Sequence, residues 1–383
     1  MPRSLAALLA LFFVLPLSLH AQPHPHSHTA RAIQFPDVPG GHTLQMDLHT
    51  HTVFSDGSVW PDIRVQEALR DGLDAVAMTD HLEYQPHQDD IPHPDRNRAY
   101  EVAREEAAAH DLIVINGSEI TRSMPPGHTN AVFLEDANPL LQDDPRAVFR
   151  EANRQGAFVF WNHPMWTPQR PSGRPALTEM HRTLIEQDLL HGIEVVNKHK
   201  YSAGALRIAL EHDLTIVGTS DVHGLIDWDY EVHAGGHRPV TLVFAEERSK
   251  AGLKAALEDG RTAVWHRNTL IGRASHVLPL LKASLSVVDA QYRPNTSVVD
   301  VRIANRSDAR FLLDNQTEVP FHTRSDVVPL APQDTTRLLV KPGARQEALT
   351  LRFEVLNAVT APATHPTITF EVVLPEAQEE TDR

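Results

Sequence analysis

The chain of 383 residues contains no cysteine, which excludes disulfides, thiolate metal ligands and cysteine nucleophiles together. Lysine is scarce as well: Lys198, Lys200, Lys250, Lys254, Lys282 and Lys341 are all there are. With 35 Lys+Arg against 50 Asp+Glu the net charge is −15, and such a chain lacks the clustered cations that a nucleic-acid groove needs. The apolar run near the start is too short for a comfortable membrane span and the chain turns polar right after it, so no membrane anchor is expected. Against these deficits stands one surplus, 24 histidines, and it points toward metal.

The 41% apolar content is sufficient for real cores, and roughly 150 residues per domain allows two or three domains. Residues 1–21 read as an export signal: Arg3 is the positive start, Leu5 to Leu19 the apolar stretch and Ala21 the small residue before cleavage. A periplasmic or secreted location follows. Residues 22–43 form a His/Pro-rich tail and linker that cannot pack a core.

From Leu44 to about Arg273, short apolar runs alternate with helical stretches. The runs are Leu44–Leu48, Ala75–Met78, Leu112–Ile115, Ala131–Leu134, Ala157–Trp161, Ile193–Val196, Leu214–Val217 and Val240–Phe244. The helices are expected over Pro61–Arg70, Asp95–His110, Pro145–Gln155, Thr178–Leu190, Ala203–His212 and Ser249–Glu258, with Pro61 and Pro145 suited to first turns. This alternation predicts a parallel sheet in a barrel-like α/β domain. Past Arg273 the period changes to two, as in Val299, Val301, Ile303 and Leu349, Leu351, Phe353, Val355, which predicts a small antiparallel β-sandwich over 274–375. Residues 376–383 are an acidic tail.

The chemistry gathers where the apolar runs end. Asp47-Leu-His49-Thr-His51 places two imidazoles at i and i+2, on one side of an extended segment. Ser55-Asp56-Gly57 follows. Later runs end in Thr79-Asp80-His81, in Glu119 with His128 ahead of the next run, in Asn162-His163-Pro164 and in Ser220-Asp221-Val-His223. Carboxyl ends of parallel strands share one face, so six His and three carboxylates can converge there from distant parts of the chain.

These segments resemble the PHP (polymerase and histidinol phosphatase) domain, over roughly residues 44–273. The resemblance implies a distorted (β/α)7 barrel, up to three divalent ions and phosphoester hydrolysis. It also implies the ligand sets: His49, His51, Glu119 and Asp221 for one ion, Glu119 with His128 and His163 for a second, and Asp56, His81 and His223 for a third. Some members carry Cys where His163 stands; here all ligands are N or O, which suits Mn²⁺, Zn²⁺ or Fe²⁺. The export signal and C-terminal β-domain further resemble secreted PHP phosphodiesterases, including those acting on synthetic organophosphate diesters.

Two or three such ions would neutralise a phosphate ester, and a hydroxide bridging ions about 3.5–4 Å apart would attack phosphorus in line. Val217-Gly-Thr-Ser220 lacks a Gly-x-Ser-x-Gly elbow, which argues against a serine hydrolase. Lys198 and His199, and His237 with Arg238, are candidates for orienting the ester or protonating the leaving group, with ordinary loop charges as the alternative. His233 is a weaker candidate, and Asp80 is placed to orient a ligand. Trp161, Trp166, Trp228 and Tyr230 can wall an ester arm or pack loops, and Pro164–Pro175 can form a lid. The expected function is hydrolysis of small phosphate diesters. Its rivals are a phosphomonoesterase on the same metals and, from another class, a periplasmic metal carrier.

Overall fold

The computed structural model describes residues 32–322 and 325–375. The expected export signal, residues 22–31 of the His/Pro-rich segment and the acidic C-terminal tail lie outside the described residues. Contrary to the expectation that 22–43 cannot pack a core, Ile33 and Phe35 are buried in one, and the first strand begins at His42. Within them no helix is long and apolar enough to cross a membrane.

The first part of the chain alternates strands and helices: β1 (His42–Asp47), α1 (Pro61–Arg70), β2 (Ala75–Met78), α2 (Arg98–Ala107), β3 (Ile113–Ile120), β4 (Thr129–Val132), α3 (Pro145–Arg154), β5 (Phe158–Trp161), α4 (Glu179–Glu186) and β6 (Gly192–Asn197). There follow β7 (Lys200–Tyr201), α5 (Ala203–Glu211), β8 (Thr215–Thr219), α6 (Ile226–Asp229), β9 (Val240–Ala245), α7 (Lys250–Glu258), β10 (Thr262–His266) and β11 (Thr269–Gly272). Helix starts follow local chemistry. Pro61 and Pro145 occupy first turns, Asp144 accepts from the Arg146 N–H, and Thr178 forms a capping box with His181.

The strands form one sheet curled into a barrel, but it is mixed and not parallel as the alternation predicts. β1–β2–β3 and β5–β6–β8 are parallel runs, while β4 is antiparallel to both of its neighbours and β9–β10–β11 run antiparallel beyond β1. For β4 the cause is the short β3–β4 connection, which has no crossover helix to return the chain to the starting end. β8 meets β9 through side-chain bonds: the Gly218 N–H donates to Thr241 Oγ1 and the Thr241 hydroxyl donates back to the Gly218 carbonyl. A Cβ on Gly218 would lie 2.2 Å from a Val264 methyl, so only glycine allows this approach.

After Arg273 the chain first forms a helix, α8 (Ala274–Ser284), before the β-sandwich begins. One sheet contains β12 (Leu285–Tyr292), β13 (Val299–Asn305) and β16 (Asp334–Val340). The other contains β14 (Phe311–Asn315), β15 (Val327–Leu330), β17 (Ala348–Val355) and β19 (Thr367–Val373). The period-two residues Val299, Val301, Ile303, Leu349, Leu351, Phe353 and Val355 are all buried. This core is continuous with the barrel through Leu270 and through Val277, Leu280 and Leu281 of α8. A short strand, β18 (Ala358–Val359), pairs directly with β11.

Candidate metal centre

The carboxyl ends of β1, β2, β3, β5, β6 and β8 open on one rim. β4 contributes by its start, because an antiparallel strand begins where its neighbours end; this is how His128 reaches the site. At the rim the ladder runs past the strands themselves. Thr50 bridges Val222, the Asp221 N–H donates to the His49 carbonyl, and His81 bridges Glu119. The Ser55-Asp56-Gly57 turn folds back so tightly that a Cβ on Gly57 would sit 2.8 Å from the His51 backbone.

All nine predicted ligands come together here. His49 Nε2 and His51 Nε2 are 3.0 Å apart, and Asp221 Oδ1 lies 3.5 and 3.2 Å from them. Glu119 Oε2 lies 3.6 and 3.5 Å from the same two nitrogens. Neighbouring ligands of a single ion about 2 Å away have such separations. Glu119 Oε1 meets His128 Nδ1 at 3.0 Å and His163 Nε2 at 3.2 Å. Asp56 meets His223 Nε2 at 3.2 Å and His81 Nε2 at 3.5 Å. The grouping differs from the implied sets in two respects: His81 also turns Nδ1 to Glu119 Oε2 at 2.7 Å, and His51 also groups with Asp56, His81 and His223, its Nδ1 lying 3.6 Å from Asp56 Oδ1.

The fit of this cage to cations is visible in its carboxylate oxygens. Glu119 Oε2 and Asp56 Oδ1 are buried and form no hydrogen bond of good geometry among the described residues; what they face are imidazole nitrogens, His81 Nδ1 at 2.7 Å and His223 Nε2 at 3.2 Å. A buried acceptor without a well-formed hydrogen bond costs about 1–3 kcal/mol, which a bound cation would recover. Electrostatics agree. Burial raises the Glu119 carboxyl, but His81 and His49 beside it hold it well below the usual range, and His49 and His51 do the same for Asp221. Burial pulls His81 down, yet Glu119 and Asp56 raise it to about 10; His51, buried against His223, falls to about 3. Ions bound by these groups would displace the protons that now balance the carboxylates.

Supporting residues hold the cage in place. Glu194, which the sequence reading passed over, is fully buried. The Nδ1–H of His49 donates to it at 2.8 Å, and the His163 N–H, Asn197 amide and Thr219 hydroxyl also donate to it. A glutamate inside the apolar strand Gly192–Asn197 is the signal that could have found it. Asp80 accepts from Thr52 and Ser55, and Ser55 Oγ lies 3.3 Å from His51 Nδ1, so Asp80 acts on His51 through a loop. His163, Lys198 and Asp221 take left-handed backbone angles (φ 27°, 52° and 46°), a strain that clusters at functional sites.

A cavity of about 440 Å³ opens over the cage, with Tyr84, Met165, Trp166, Lys198, His199 and Lys200 among its walls. Lys198 Nζ lies 3.5 Å from Asp221 Oδ2. Arg238 does not reach this cavity. Its guanidinium is fully buried, with Nε on Asp71 at 2.8 Å and Nη1 on Asp47 at 3.2 Å, so it is a structural charge and not a phosphoryl ligand. His237 stacks on Trp265, and the exposed His233 lines neither this cavity nor the one beside it. Of the four candidate wall aromatics only Trp166 faces the metal centre. Trp161 is buried against His181, while Trp228 and Tyr230 line a neighbouring cavity. Tyr84, unforeseen, also lines the cavity, its ring edge-on to His81. Pro164–Pro175 forms turns that bring Met165 and Trp166 to the cavity.

Residues 47–190 match the PHP domain family, and residues 285–371 match an Ig-like domain family. Among solved structures the chain is similar to a two-domain protein from Bacteroides vulgatus containing a predicted PHP-like metal-dependent phosphoesterase. The identity is 40% and the TM-score 0.83, over 89% of this chain and 98% of that one. Over 85 residues the chain is also 36% identical to an uncharacterised protein of Methanocaldococcus jannaschii, a match covering 22% of this chain and 36% of that protein.

Proposed function

Since the chain belongs to the PHP family, we propose that it is a metal-dependent phosphoesterase whose substrates are small phosphate diesters. The observation that carries the reading is the cage of six imidazoles and three carboxylates in which one buried glutamate, Glu119, lies within 3.6 Å of His49, His51, His81, His128 and His163. His49, His51, Asp56, His81, Glu119, His128, His163, Asp221 and His223 would hold two or three divalent ions. Bound there, such ions supply charge for the phosphoryl oxygens and lower the pKa of water.

The protein's own groups do the rest. Lys198, on the cavity wall, pairs with a phosphoryl oxygen. His199 lies where it can pass a proton to the leaving alcohol. Tyr84 and Trp166, which present ring surface to the cavity, bind an ester arm and displace water from it. An ester arm seated on apolar walls favours diesters over monoesters. The burial of the ligands favours hydrolysis over metal carriage, since a carrier must exchange its ion with solvent.

The deciding assay compares phenyl methyl phosphate with phenyl phosphate in the presence of Mn²⁺, Zn²⁺ or Fe²⁺. The expected result is kcat/KM about tenfold or more in favour of the diester, roughly 1.4 kcal/mol of transition-state preference. A preference for the monoester would establish the phosphomonoesterase instead, and full metal loading with no turnover would establish the carrier.

A further inference from the structure

Beside the metal centre lies a second cavity of about 480 Å³, and His199 stands in the walls of both. Trp228, Asp229, Glu231, His266 and Arg267 also line it. We propose that this cavity takes the second ester arm of the substrate, and that the arm is a hydroxyl-rich alcohol, a sugar or polyol. The proposal rests on the phosphodiesterase reading and adds the chemical class of one arm.

A diester carries two arms on one phosphorus. With the phosphoryl group at the cage and one arm between Tyr84 and Trp166, the other has an exit past His199 into the second cavity. The lining there differs in kind from the first. Trp228 is 77% exposed and makes no aromatic ring contact among the described residues, so an apolar ring face is available for stacking. Asp229, Glu231 and Arg267 make no side-chain hydrogen bond or ion pair among the described residues, so acceptors and donors of opposite charge face one space. An anionic arm would meet the two carboxylates and an ammonium would meet the guanidinium. A neutral hydroxyl both donates and accepts, and so suits both.

An independent observation comes from His266. It lines the cavity, is 5% exposed, and its Nδ1 has no hydrogen-bond partner among the described residues. A buried ring nitrogen without a partner is a cost that a hydroxyl of the ligand can remove.

The same cavity gives the β-sandwich a task. Arg267 sits in the two-residue turn between β10 and β11, next to Asn268. The Asn268 side chain donates to the Arg310 carbonyl at 2.9 Å and accepts from the Arg310 N–H at 2.7 Å. Asn357 donates to the Asn268 carbonyl at 2.6 Å. Both partners belong to the second domain, which thereby clamps the turn that presents Arg267.

The test uses two diesters with a common phenyl arm, the phenyl diester of glucose 6-phosphate and phenyl methyl phosphate, on the metal-loaded full chain. The wild type should prefer the glucose diester about tenfold in kcat/KM. Trp228→Ala and Arg267→Ala should each raise KM for the glucose diester about fivefold or more while leaving phenyl methyl phosphate within about twofold. Equal use of the two diesters by the wild type, or variants that weaken both alike, would overturn the proposal. If neither diester turns over, the phosphodiesterase reading fails separately, and titration of tryptophan fluorescence with glucose still decides the cavity. A saturable change weakened about fivefold in Arg267→Ala supports a hydroxyl site, and no saturable change in the wild type removes it.

Discussion

At the rim of the barrel Glu119 and Asp56 find their counter-charge among the described residues only in imidazoles, whereas behind the rim buried arginines meet their carboxylates at 2.7–3.2 Å. Arg64 pairs with Glu67 and also donates to the carbonyls of His51 and Val222. Arg238 pairs with Asp47 and Asp71, and Asp47 accepts from the Ser220 N–H. Both layers carry charge, but the rear one is fully buried while Asp56 and His223 at the rim are 26% and 30% exposed to the cavity. The difference is who supplies the counter-charge: the rear layer has guanidinium groups, whose charge is permanent, while the rim layer has imidazoles, which can give up a proton and bind a metal. Buried carboxylates matched by arginine read as scaffold, and those that face imidazoles read as a ligand cage.

The strongest way to break this contrast is to remove charge from the rim. Glu119→Ala is expected to lose metal and to lower kcat/KM by about 1,000-fold or more, since a group touching two clusters goes at once. Metal content by elemental analysis and turnover should fall together; retained metal with retained activity would contradict the cage. At the rear layer the same operation should act on stability instead. Arg238→Met leaves Asp47 and Asp71 buried without their cation and is expected to cost about 3–5 kcal/mol, read by urea unfolding. A variant of full stability but lost turnover would return Arg238 to the reaction.

Glu194 lies on the border between the layers and sharpens it. Glu194→Gln keeps the size but weakens the hold on His49, so metal affinity should fall about 10–100-fold with little change in melting temperature. Competition with a chelator measures it.

The smallest effect concerns a histidine away from the rim. Burial lowers the His181 pKa to about 4, where rim carboxylates raise His81 to about 10. An imidazole whose folded pKa is depressed binds its proton more readily when unfolded. Its contribution is therefore whole above pH 6.5 and is lost as pH falls toward 4. Between pH 7 and pH 5 this residue should remove about 2 kcal/mol of unfolding free energy. His181→Gln should flatten that part of the pH profile; an unchanged slope would assign it to other groups.

The positions of the ligands were legible because strand ends in an α/β barrel are a place as well as a sequence feature. An apolar run that ends in Thr-Asp-His or Ser-Asp-Val-His delivers its polar residues to one rim whatever the details between. The mixed sheet was less legible, because β10 and β11 are short and β4 runs backwards without a helix to announce it. Glu194 escaped notice because a carboxylate within an apolar strand looks like a local exception until its four donors are seen. Arg238 misled for the opposite reason: it stands two residues before a strand, where a loop cation and a buried one read alike.

What the amino-acid order alone determined is which side chains can meet, since backbone periodicity sends alternate residues of a strand to the same face and strand ends to the same rim. It brought nine candidate ligands to one rim, excluded thiolate and announced the sandwich that follows the barrel. Tertiary structure decided what each charge faces. Whether a carboxylate meets an arginine or an imidazole depends on packing between segments more than a hundred residues apart, as in His49 with Glu194 and Arg238 with Asp47. Electrostatic energy falls off with distance in space and not along the chain, so only the folded arrangement separates the scaffold charge from the ligand.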